Sequence, residues 1–228
     1  MKYQIIPSII AKNQKELNQR LQKVFSLSNI IQLDVMDGKF VKDKSLNFNF
    51  KLPRQIRSNN LDNSTKSNNP KVYEAHLMMK NPLYWIKKNA SKVDIIIVHI
   101  ESDDVEEAIK LIKGKNKRLG IALNPKTPVN AVIPLLKKMK INYVTILSVN
   151  PGRYGAKFIP PTLNKVKQLK EFKSKNKLKF NIEIDGGLGV QHIVQAKRAG
   201  ANIFISGSYL QSSNNVKGDY ERLKKLIK

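Results

Sequence analysis

A largely apolar run at residues 30–35 contains one carboxylate, Asp34. A second carboxylate, Asp37, follows it, and the segment ends at Gly38. Such a run is typical of a parallel strand buried on both faces. Burying Asp34 in its ionised form costs several kcal/mol unless a cation or hydrogen-bond donors accompany it. The segment therefore predicts a partner for Asp34, and a metal ion is one candidate.

Asp34 has polar counterparts at or near the ends of other predicted strands: Ser8, His76, Asp185 and the pair Gly207-Ser208. In a closed ring of eight strands, the strands of Asp34 and Asp185 are three apart, so the two carboxylates face each other across the mouth. This arrangement suits removal of a proton from one face of a carbon and its return to the other. A divalent cation held by Asp34, His76 and Asp185 would stabilise the enediolate between the two steps.

Eight β-type runs alternate with helical segments, which predicts parallel βα units. We therefore predict a single-domain α/β fold, the (β/α)8 TIM barrel, with its active site at the carboxyl ends of the strands. The predicted strands cover residues 4–9, 30–34, 71–77, 94–100, 118–123, 143–148, 180–184 and 202–206. The predicted helices cover residues 13–25, 50–57, 81–89, 103–113, 129–138, 161–175, 190–198 and 217–227. The polar segment 57–70 predicts a mobile loop away from the chemistry.

Composition limits the classes of protein and partner. The 228 residues include no cysteine, which excludes disulfides and thiolate chemistry and fits a cytoplasmic protein. We expect neither a signal peptide nor a membrane span, because the apolar runs are too short. A net charge of +25 would attract phosphates, nucleic acid or anionic membranes, but the lysines are scattered without interleaved aromatic residues. We expect a solvated basic surface and a homo-oligomer, with nucleic-acid binding as the alternative.

The segment at residues 31–41 resembles the His-x-Asp-Val-Met-Asp-Gly-x-Phe-Val signature of the ribulose-phosphate 3-epimerase family, with Gln32 at the place of the histidine. Further resemblances follow in the family's order across residues 6–208. They are Pro7-Ser8, His76-Leu77-Met78, His99-Ile100-Glu101, the Gly-x-Ala-x-Asn-Pro-x-Thr-Pro element at 120–128, Asp185-Gly186-Gly187 and Ser206-Gly207-Ser208. Together they cover most of the chain.

The resemblance implies a divalent metal ion, such as Fe, Mn, Co or Zn, held by two histidines and two aspartates. It also implies that the aspartates serve as acid and base. Asp34, His76 and Asp185 match three of these four positions, and Gln32 is a further candidate ligand. An amide oxygen is a harder and weaker ligand than imidazole, so late transition metals should bind less tightly here.

Four residues precede predicted helices, where backbone N–H groups and the helix dipole favour an anion: Gly186, Gly187, Gly207 and Ser208. The resemblance implies that these turns hold the substrate phosphate, with help from a lid at residues 151–156 that contributes Gly152 and Gly155. Within this lid, Arg153 could add a phosphate contact or Tyr154 could slow closure, and both interpretations stay open.

The resemblance further implies that Ser8 lies near the substrate and that Met36 and Met78 line its pocket. Leu147 stands where the family has a third methionine. This difference either reshapes the substrate pocket or is a mild exchange within the core. For His99 three interpretations stay open: it contacts the site, replaces the missing ligand, or packs in the core. We expect Asp37 to be a structural cap and His192 to lie on the surface of a helix.

Each of these residues also has an ordinary structural explanation. An aspartate can cap a helix, a buried histidine can be a hydrogen-bonded core residue, and Asp-Gly-Gly is a common turn. Their joint placement at strand ends favours function. The leading hypothesis is C3 epimerisation of a ketose phosphate, with D-ribulose 5-phosphate and D-xylulose 5-phosphate as the epimers. The alternatives are a 3-epimerase of allulose 6-phosphate, or a catalytically weakened barrel that binds phosphates or RNA.

Overall fold

The computed structural model describes residues 3–53, 70–152 and 155–228. Across these ranges eight parallel strands alternate with helices, as the βα pattern predicts. The first strand pairs with both the second and the last, so the sheet closes on itself. The fold is a TIM barrel. Every helix of the described ranges is too short or too polar to cross a bilayer.

The barrel strands are β1 (Gln4–Ile9), β2 (Ile30–Asp37), β4 (Val72–Met78), β5 (Ile95–His99), β6 (Arg118–Leu123), β7 (Tyr143–Leu147), β8 (Asn181–Asp185) and β9 (Ile203–Ser206), and β3 (Lys44–Ser45) is antiparallel to β2. The α-helices are α1 (Gln14–Val24), α2 (Leu83–Asn89), α3 (Val105–Gly114), α4 (Ile133–Lys138), α5 (Thr162–Lys175), α6 (Val190–Ala199), α7 (Ser208–Gln211) and α8 (Val216–Ile227). Single 3₁₀ turns at Ala90–Lys92 and Val129–Ala131 adjoin α2 and α4.

The helix predicted at residues 50–57 is wrong for residues 50–53, which are neither helix nor strand. Phe50 is buried and stacks on Trp85, with ring centroids 6.3 Å apart. Gln14 satisfies the backbone of Lys51, because its side chain accepts from the Lys51 N–H at 2.8 Å and donates to the Lys51 carbonyl at 3.1 Å. Pro53 also disfavours helical geometry in the residue before it. Residues 54–57, and the loop predicted at 57–70 except Pro70, lie outside the described residues.

Strand β2 runs three residues beyond its predicted end at Asp34. The extension exists because Met36 and Asp37 pair with Ser45 and Lys44 of β3. The Ser45 hydroxyl accepts from the Met36 N–H at 3.1 Å and donates to the Asp34 carbonyl. This short hairpin therefore holds the backbone on the carboxyl side of Asp34, the first candidate catalytic residue.

The strands carry apolar side chains on both faces, as expected for a sheet covered on both sides. The outward face packs under the helices. The interior is closed near its amino end by apolar side chains that include Ile6, Ile95, Ile97, Ile203 and Ile205. This apolar filling makes the barrel a packed core, and its carboxyl end is where a TIM barrel forms its active site.

A polar layer interrupts this interior two residues below the candidate site. Glu74 and Glu183 are both fully buried there, and the Thr145 hydroxyl donates to Glu183 at 2.6 Å. Burial and the neighbouring charge of Glu183 raise the pKa of Glu74 well above its ordinary value. Burial also raises the pKa of Glu183 to about 7, against the lowering effect of the Thr145 hydrogen bond. The native pair therefore holds protons near neutral pH that the unfolded chain has already released.

We expect Glu74→Gln to stabilise the metal-free protein at pH 8 and to change little at pH 5. The native pKa of Glu74 lies above the unfolded value, so its stabilising contribution is present at acid pH and is lost as pH rises. The neutral amide of glutamine keeps the shape of the side chain and does not lose a proton as pH rises. A gain of ~1 kcal/mol or more in the free energy of unfolding corresponds to a Tm increase of at least ~2–4 °C. Thermal unfolding in the presence of a chelator measures it, with the exposed Glu171→Gln as control. Equal shifts at both pH values would contradict the argument.

Candidate active site

The carboxyl ends of the strands surround a cavity that contains most of the residues predicted from the sequence. It is lined by Ser8, Ile10, Asp34, His76, Met78, Leu147, Val149, Pro151, Gly152, Gly155, Ala156, Asp185, Gly186, Gly187, Gly207 and Ser208. Two of the predicted residues do not line this cavity. Gln32 is fully buried beneath it, and Met36 packs in a small apolar cluster with Val41 and Met78.

Asp34 and Asp185 approach the same two side chains, His76 and Gln32. Asp34 lies in the buried stretch of β2 beside His76 of β4, its register partner, and Asp185 is the last residue of β8. His76 Nδ1 lies 3.3 Å from Asp34 Oδ1 and 3.2 Å from Asp185 Oδ2. The two carboxylates therefore converge from strands on different sides of the barrel mouth, as the ring of eight strands predicts.

Gln32 donates hydrogen bonds to both carboxylates. Its Nε2 donates to Asp34 Oδ1 at 2.8 Å and to Asp185 Oδ2 at 3.0 Å, the same two oxygens that face His76. Its Oε1 is buried and has no hydrogen-bond partner among the residues described. The amide thus places a neutral donor pair beneath the carboxylates and leaves one polar atom unsatisfied.

The electrostatics of the site follow from burial and from these contacts. Burial raises the pKa of Asp34, and the charge of Asp185 adds to this effect while the His76 and Gln32 hydrogen bonds oppose it. Burial alone would lower the pKa of His76, but the hydrogen bonds and charges of Asp185 and Asp34 outweigh it and raise that pKa to about 10. Without another cation, the two carboxylates therefore favour the protonated form of His76.

The same atoms fit a divalent cation. One ligand atom from each of Asp34, His76 and Asp185 lies within 4.8 Å of the others, and all three residues are buried. Two carboxylates and one imidazole form a donor set that binds divalent metals. Gln32 turns its Nε2 toward the two carboxylates, so its unsatisfied Oε1 would join this donor set only if the amide turned over.

The glycine turns after β8 and β9 form another part of the cavity wall. Gly186 has φ +109°, and a Cβ added there would lie 2.4 Å from Val149, so a larger residue would distort this turn. The Ser148 hydroxyl holds the turn from below, 2.9 Å from the Asp185 carbonyl oxygen and 2.6 Å from that of Gly186. Gly186 and Gly187 lead into α6, and Gly207 precedes Ser208 at the start of α7. Backbone N–H groups at these helix starts favour an anion.

His192 is partly buried, contrary to the expectation of a surface position. Its Nδ1 donates to the Gly187 carbonyl at 3.0 Å, and its ring stacks on Phe158 at 4.2 Å between centroids. His192 therefore supports the glycine turn from α6. Its position on a helix with mixed polarity carried no signal for this contact, because the contact depends on where the segment after β7 passes.

The apolar part of the cavity wall includes Met78 and Leu147. Leu147 is the last residue of β7 and is the register partner of Asp185. Its side chain therefore lies beside the second carboxylate. Arg153 and Tyr154, the lid residues whose roles were left open, lie outside the described residues.

Asp37 has the structural role expected of it. Its Oδ1 accepts from the N–H groups of Lys39 and Phe40, each at 2.8 Å, and its Oδ2 accepts from the Lys80 N–H at 2.8 Å. These bonds join the loop after β2 to the segment after β4. Asp37 thus fixes two loops at the rim and is not one of the cavity-lining residues.

His99 and Glu101 form a layer behind the site. His99 Nε2 lies 2.9 Å from His76 Nε2, and His99 Nδ1 lies 3.0 Å from Glu101 Oε2. Burial and the neighbouring His76 lower the pKa of His99 to about 4, although Glu101 acts in the opposite direction. His99 therefore contacts a site residue and does not line the cavity. The His-x-Glu spacing was visible in the sequence, but the sequence did not show which site residue this pair contacts.

Comparisons with known proteins agree with this arrangement. The model of the ribulose-phosphate 3 epimerase family matches residues 4–211. The chain is 35% identical over 217 residues to the ribulose-phosphate 3-epimerase of Buchnera aphidicola (subsp. Baizongia pistaciae), covering 94% of this chain and 91% of the relative. It is 30% identical over 226 residues to the enzyme of that name from Aquifex aeolicus, covering 98% and 96%.

Solved structures support the fold at low sequence identity. The 3-keto-L-gulonate-6-phosphate decarboxylase of Vibrio cholerae matches with a TM-score of 0.62 and 15% identity, covering 100% of this chain and 98% of that one. The 3-hexulose-6-phosphate synthase of Salmonella typhimurium matches with a TM-score of 0.62 and 13% identity, covering 98% of each. From the family match along nearly the whole chain and the two relatives at 30% identity or more, we conclude that this chain belongs to the ribulose-phosphate 3-epimerase family.

Proposed function

We propose that this protein is a 3-epimerase that interconverts D-ribulose 5-phosphate and D-xylulose 5-phosphate. The observation that carries the proposal is the pair of buried carboxylates, Asp34 and Asp185, which approach one another at the carboxyl ends of β2 and β8. The names of the relatives support the same reaction. The homo-oligomeric state and the cytoplasmic location expected from the sequence stay predictions.

The two carboxylates divide the proton chemistry between the two faces of C3. One removes the C3 proton, and the electron pair moves into an enediolate that spans C2 and C3. The other carboxylate, in its acid form, then donates a proton to the opposite face of C3. Burial favours the part of Asp34 in this exchange, because it raises the pKa of that carboxyl above its ordinary value, which makes it a better base and more readily present as an acid.

Asp34, His76 and Asp185 would hold a divalent cation, and Gln32 would contribute Oε1 as a fourth donor. When bound, such a cation stabilises the negative charge that develops on the substrate oxygens. Proton transfer depends on the protein's own residues. Asp34 and Asp185 hold and move the protons, and His76 directs its Nδ1 toward both of them. Among the candidates Fe, Mn, Co and Zn, the amide oxygen reduces the usual advantage of Zn²⁺ over the harder Mn²⁺.

The phosphate of the substrate would bind at the turns after β8 and β9. Gly186, Gly187, Gly207 and Ser208 all line the cavity and lie at or before the starts of α6 and α7. Gly152 and Gly155 line the same cavity from the lid side. A phosphate anchored here extends the sugar toward the carboxylates, which leaves the rim near Ser8 to orient its hydroxyl groups.

The apolar side of the cavity would exclude water from the reacting carbon. Met78 and Leu147 provide this wall, and Met36 supports Met78 from the adjacent cluster. Excluding water strengthens the interactions between the carboxylates and the developing charge. Leu147 lies beside Asp185 in the sheet register, so its size affects the room available near the second carboxylate.

The experiment supplies purified protein, loaded in turn with Fe²⁺, Mn²⁺, Co²⁺ or Zn²⁺, with D-ribulose 5-phosphate and follows D-xylulose 5-phosphate by NMR. We expect conversion with at least one metal, and little conversion of phosphate-free D-ribulose, because the ketose alone lacks the anchor. Absence of conversion with every metal would refute the proposal. A higher kcat/KM for D-allulose 6-phosphate would instead assign the site to a six-carbon substrate.

A further inference from the structure

A continuous chain of hydrogen-bonding groups leads away from the site through the barrel wall. His76 Nε2 faces His99 Nε2 at 2.9 Å, with ring centroids 5.0 Å apart and 17° between the two ring planes. His99 Nδ1 faces Glu101 Oε2 at 3.0 Å. The other Glu101 oxygen accepts from the Asn124 N–H at 2.8 Å. The chain therefore runs from the centre of the site to the loop after β6.

The hydrogen-bonding roles of these groups determine which nitrogen carries each proton. An ionised carboxylate only accepts hydrogen bonds, so His99 Nδ1 carries the proton toward Glu101. Neutral imidazole carries its proton on one nitrogen, which leaves the lone pair of His99 on Nε2. The proton between the two rings therefore belongs to His76 Nε2. Whether His76 is charged or neutral, its Nδ1 is then the atom presented to Asp34 and Asp185.

We propose that His99 and Glu101 are positioning residues that hold His76 in the tautomer whose Nδ1 binds the metal of the active site. The inference rests on the metal-assisted reaction proposed above and extends it to residues behind the site. A histidine ligand generally donates its other N–H to a carboxylate, a carbonyl or water, and this donor sets the ring orientation. Here the acceptor is a second histidine, which Glu101 orients in turn.

Neither residue acts on the substrate directly. His99 is fully buried, and neither it nor Glu101 is among the residues that line the cavity. Phe40 packs at a tilt of 50° against the His99 ring, with 4.6 Å between centroids, which restricts the movement of His99. The loop after β6 also contributes: the Lys165 ammonium donates to the Asn124 carbonyl at 2.6 Å, holding the residue whose N–H orients Glu101. These contacts give the Asn-Pro-x-Thr-Pro segment a role in orienting Glu101.

The test compares His99→Leu, His99→Gln and Glu101→Gln with the wild-type protein. Leucine removes the acceptor for the His76 Nε2–H, whereas the glutamine oxygen can replace it. We expect His99→Leu and Glu101→Gln to weaken Mn²⁺ binding by about 10–100-fold, and His99→Gln to restore most of the affinity. Competition against a chelator gives the affinities. Glu101 is partly exposed in a loop, so its variant keeps the test valid if His99→Leu fails to fold.

NMR of ¹⁵N-labelled histidine provides a readout that does not depend on turnover. The chain has three histidines, so His192→Gln and His99→Gln complete the assignment. We expect His99 in the neutral Nδ1–H form, and a proton on Nε2 of His76 in the Zn²⁺-loaded protein. An Nε2–H form of His99, or unchanged Mn²⁺ affinity in both weakening variants, would overturn the inference. Correct tautomers and weakened metal binding without epimerisation would support it while refuting the proposed reaction.

Discussion

Replacing Asp185 by asparagine lowers kcat by about 10²–10⁴-fold if this carboxylate transfers the C3 proton, the range expected for a general acid or base. Asparagine is nearly the same size but neither accepts nor returns that proton. Asp34→Asn is expected to have an effect of the same order, because each epimerisation uses both residues. The measurement is kcat with D-ribulose 5-phosphate at metal concentrations that keep each variant loaded, with metal content determined on the same sample.

Asp37→Asn is the matched control for these variants. Asp37 belongs to the same strand as Asp34, yet its oxygens accept only backbone N–H groups at the rim. We expect this variant to retain most of its activity. Loss of activity in Asp37→Asn as large as in Asp185→Asn would show that the neutralisation acts through structure and would count against direct proton transfer by Asp185.

Gln32→His is expected to bind Zn²⁺ and Co²⁺ at least about tenfold more tightly than the wild-type protein, with a smaller gain for Mn²⁺. Imidazole nitrogen suits late transition metals, whereas the amide oxygen of Gln32 favours harder cations. The metal-free variant loses the amide N–H groups that bridge Asp34 and Asp185. Its Tm should therefore fall without metal and rise further when Zn²⁺ is added, since tighter binding to the folded state adds stability.

Chelator competition and Co²⁺ absorption spectra measure the Gln32→His effect. Gln211→His serves as the control, because Gln211 is also a buried glutamine but lies in α7, with its amide on the Arg20 carbonyl. Unchanged or weaker Zn²⁺ affinity in Gln32→His would mean that position 32 does not face the metal. Gln32 would then be a hydrogen-bond donor to the carboxylates and not a metal ligand.

Most of the barrel could be predicted from the sequence because its signals are local. Apolar runs such as residues 118–123 match their strand without adjustment, since both faces of a parallel strand are buried. The helix predicted at 50–57 failed over residues 50–53 because nonlocal contacts determine that segment: Phe50 packs on Trp85, and Gln14 binds the backbone of Lys51. The extension of β2 likewise depends on β3, a two-residue strand too short to give a periodic signal.

The candidate site likewise contains residues that could be predicted from the sequence and residues that could not. Asp34, His76 and Asp185 could be grouped from the sequence, because each lies at or near the end of a strand and a closed barrel brings those ends together. The bridging role of Gln32 could not, since a buried glutamine gives no indication of which carboxylates it binds. His99 and His192 needed the three-dimensional contacts, because each acts through a neighbour that is distant in the sequence.

Exchange of the C3 hydrogen in deuterated water tests the central claim, that Asp34 and Asp185 serve opposite faces of one carbon. Asp34→Asn and Asp185→Asn, each loaded with metal, are incubated separately with D-ribulose 5-phosphate and with D-xylulose 5-phosphate, and deuterium at C3 is measured by NMR. Each variant is predicted to exchange the C3 hydrogen of one epimer without inverting it, and the two variants are predicted to act on opposite epimers. Exchange of the same epimer by both variants, or interconversion of the epimers at the wild-type rate by either, would contradict the two-carboxylate account.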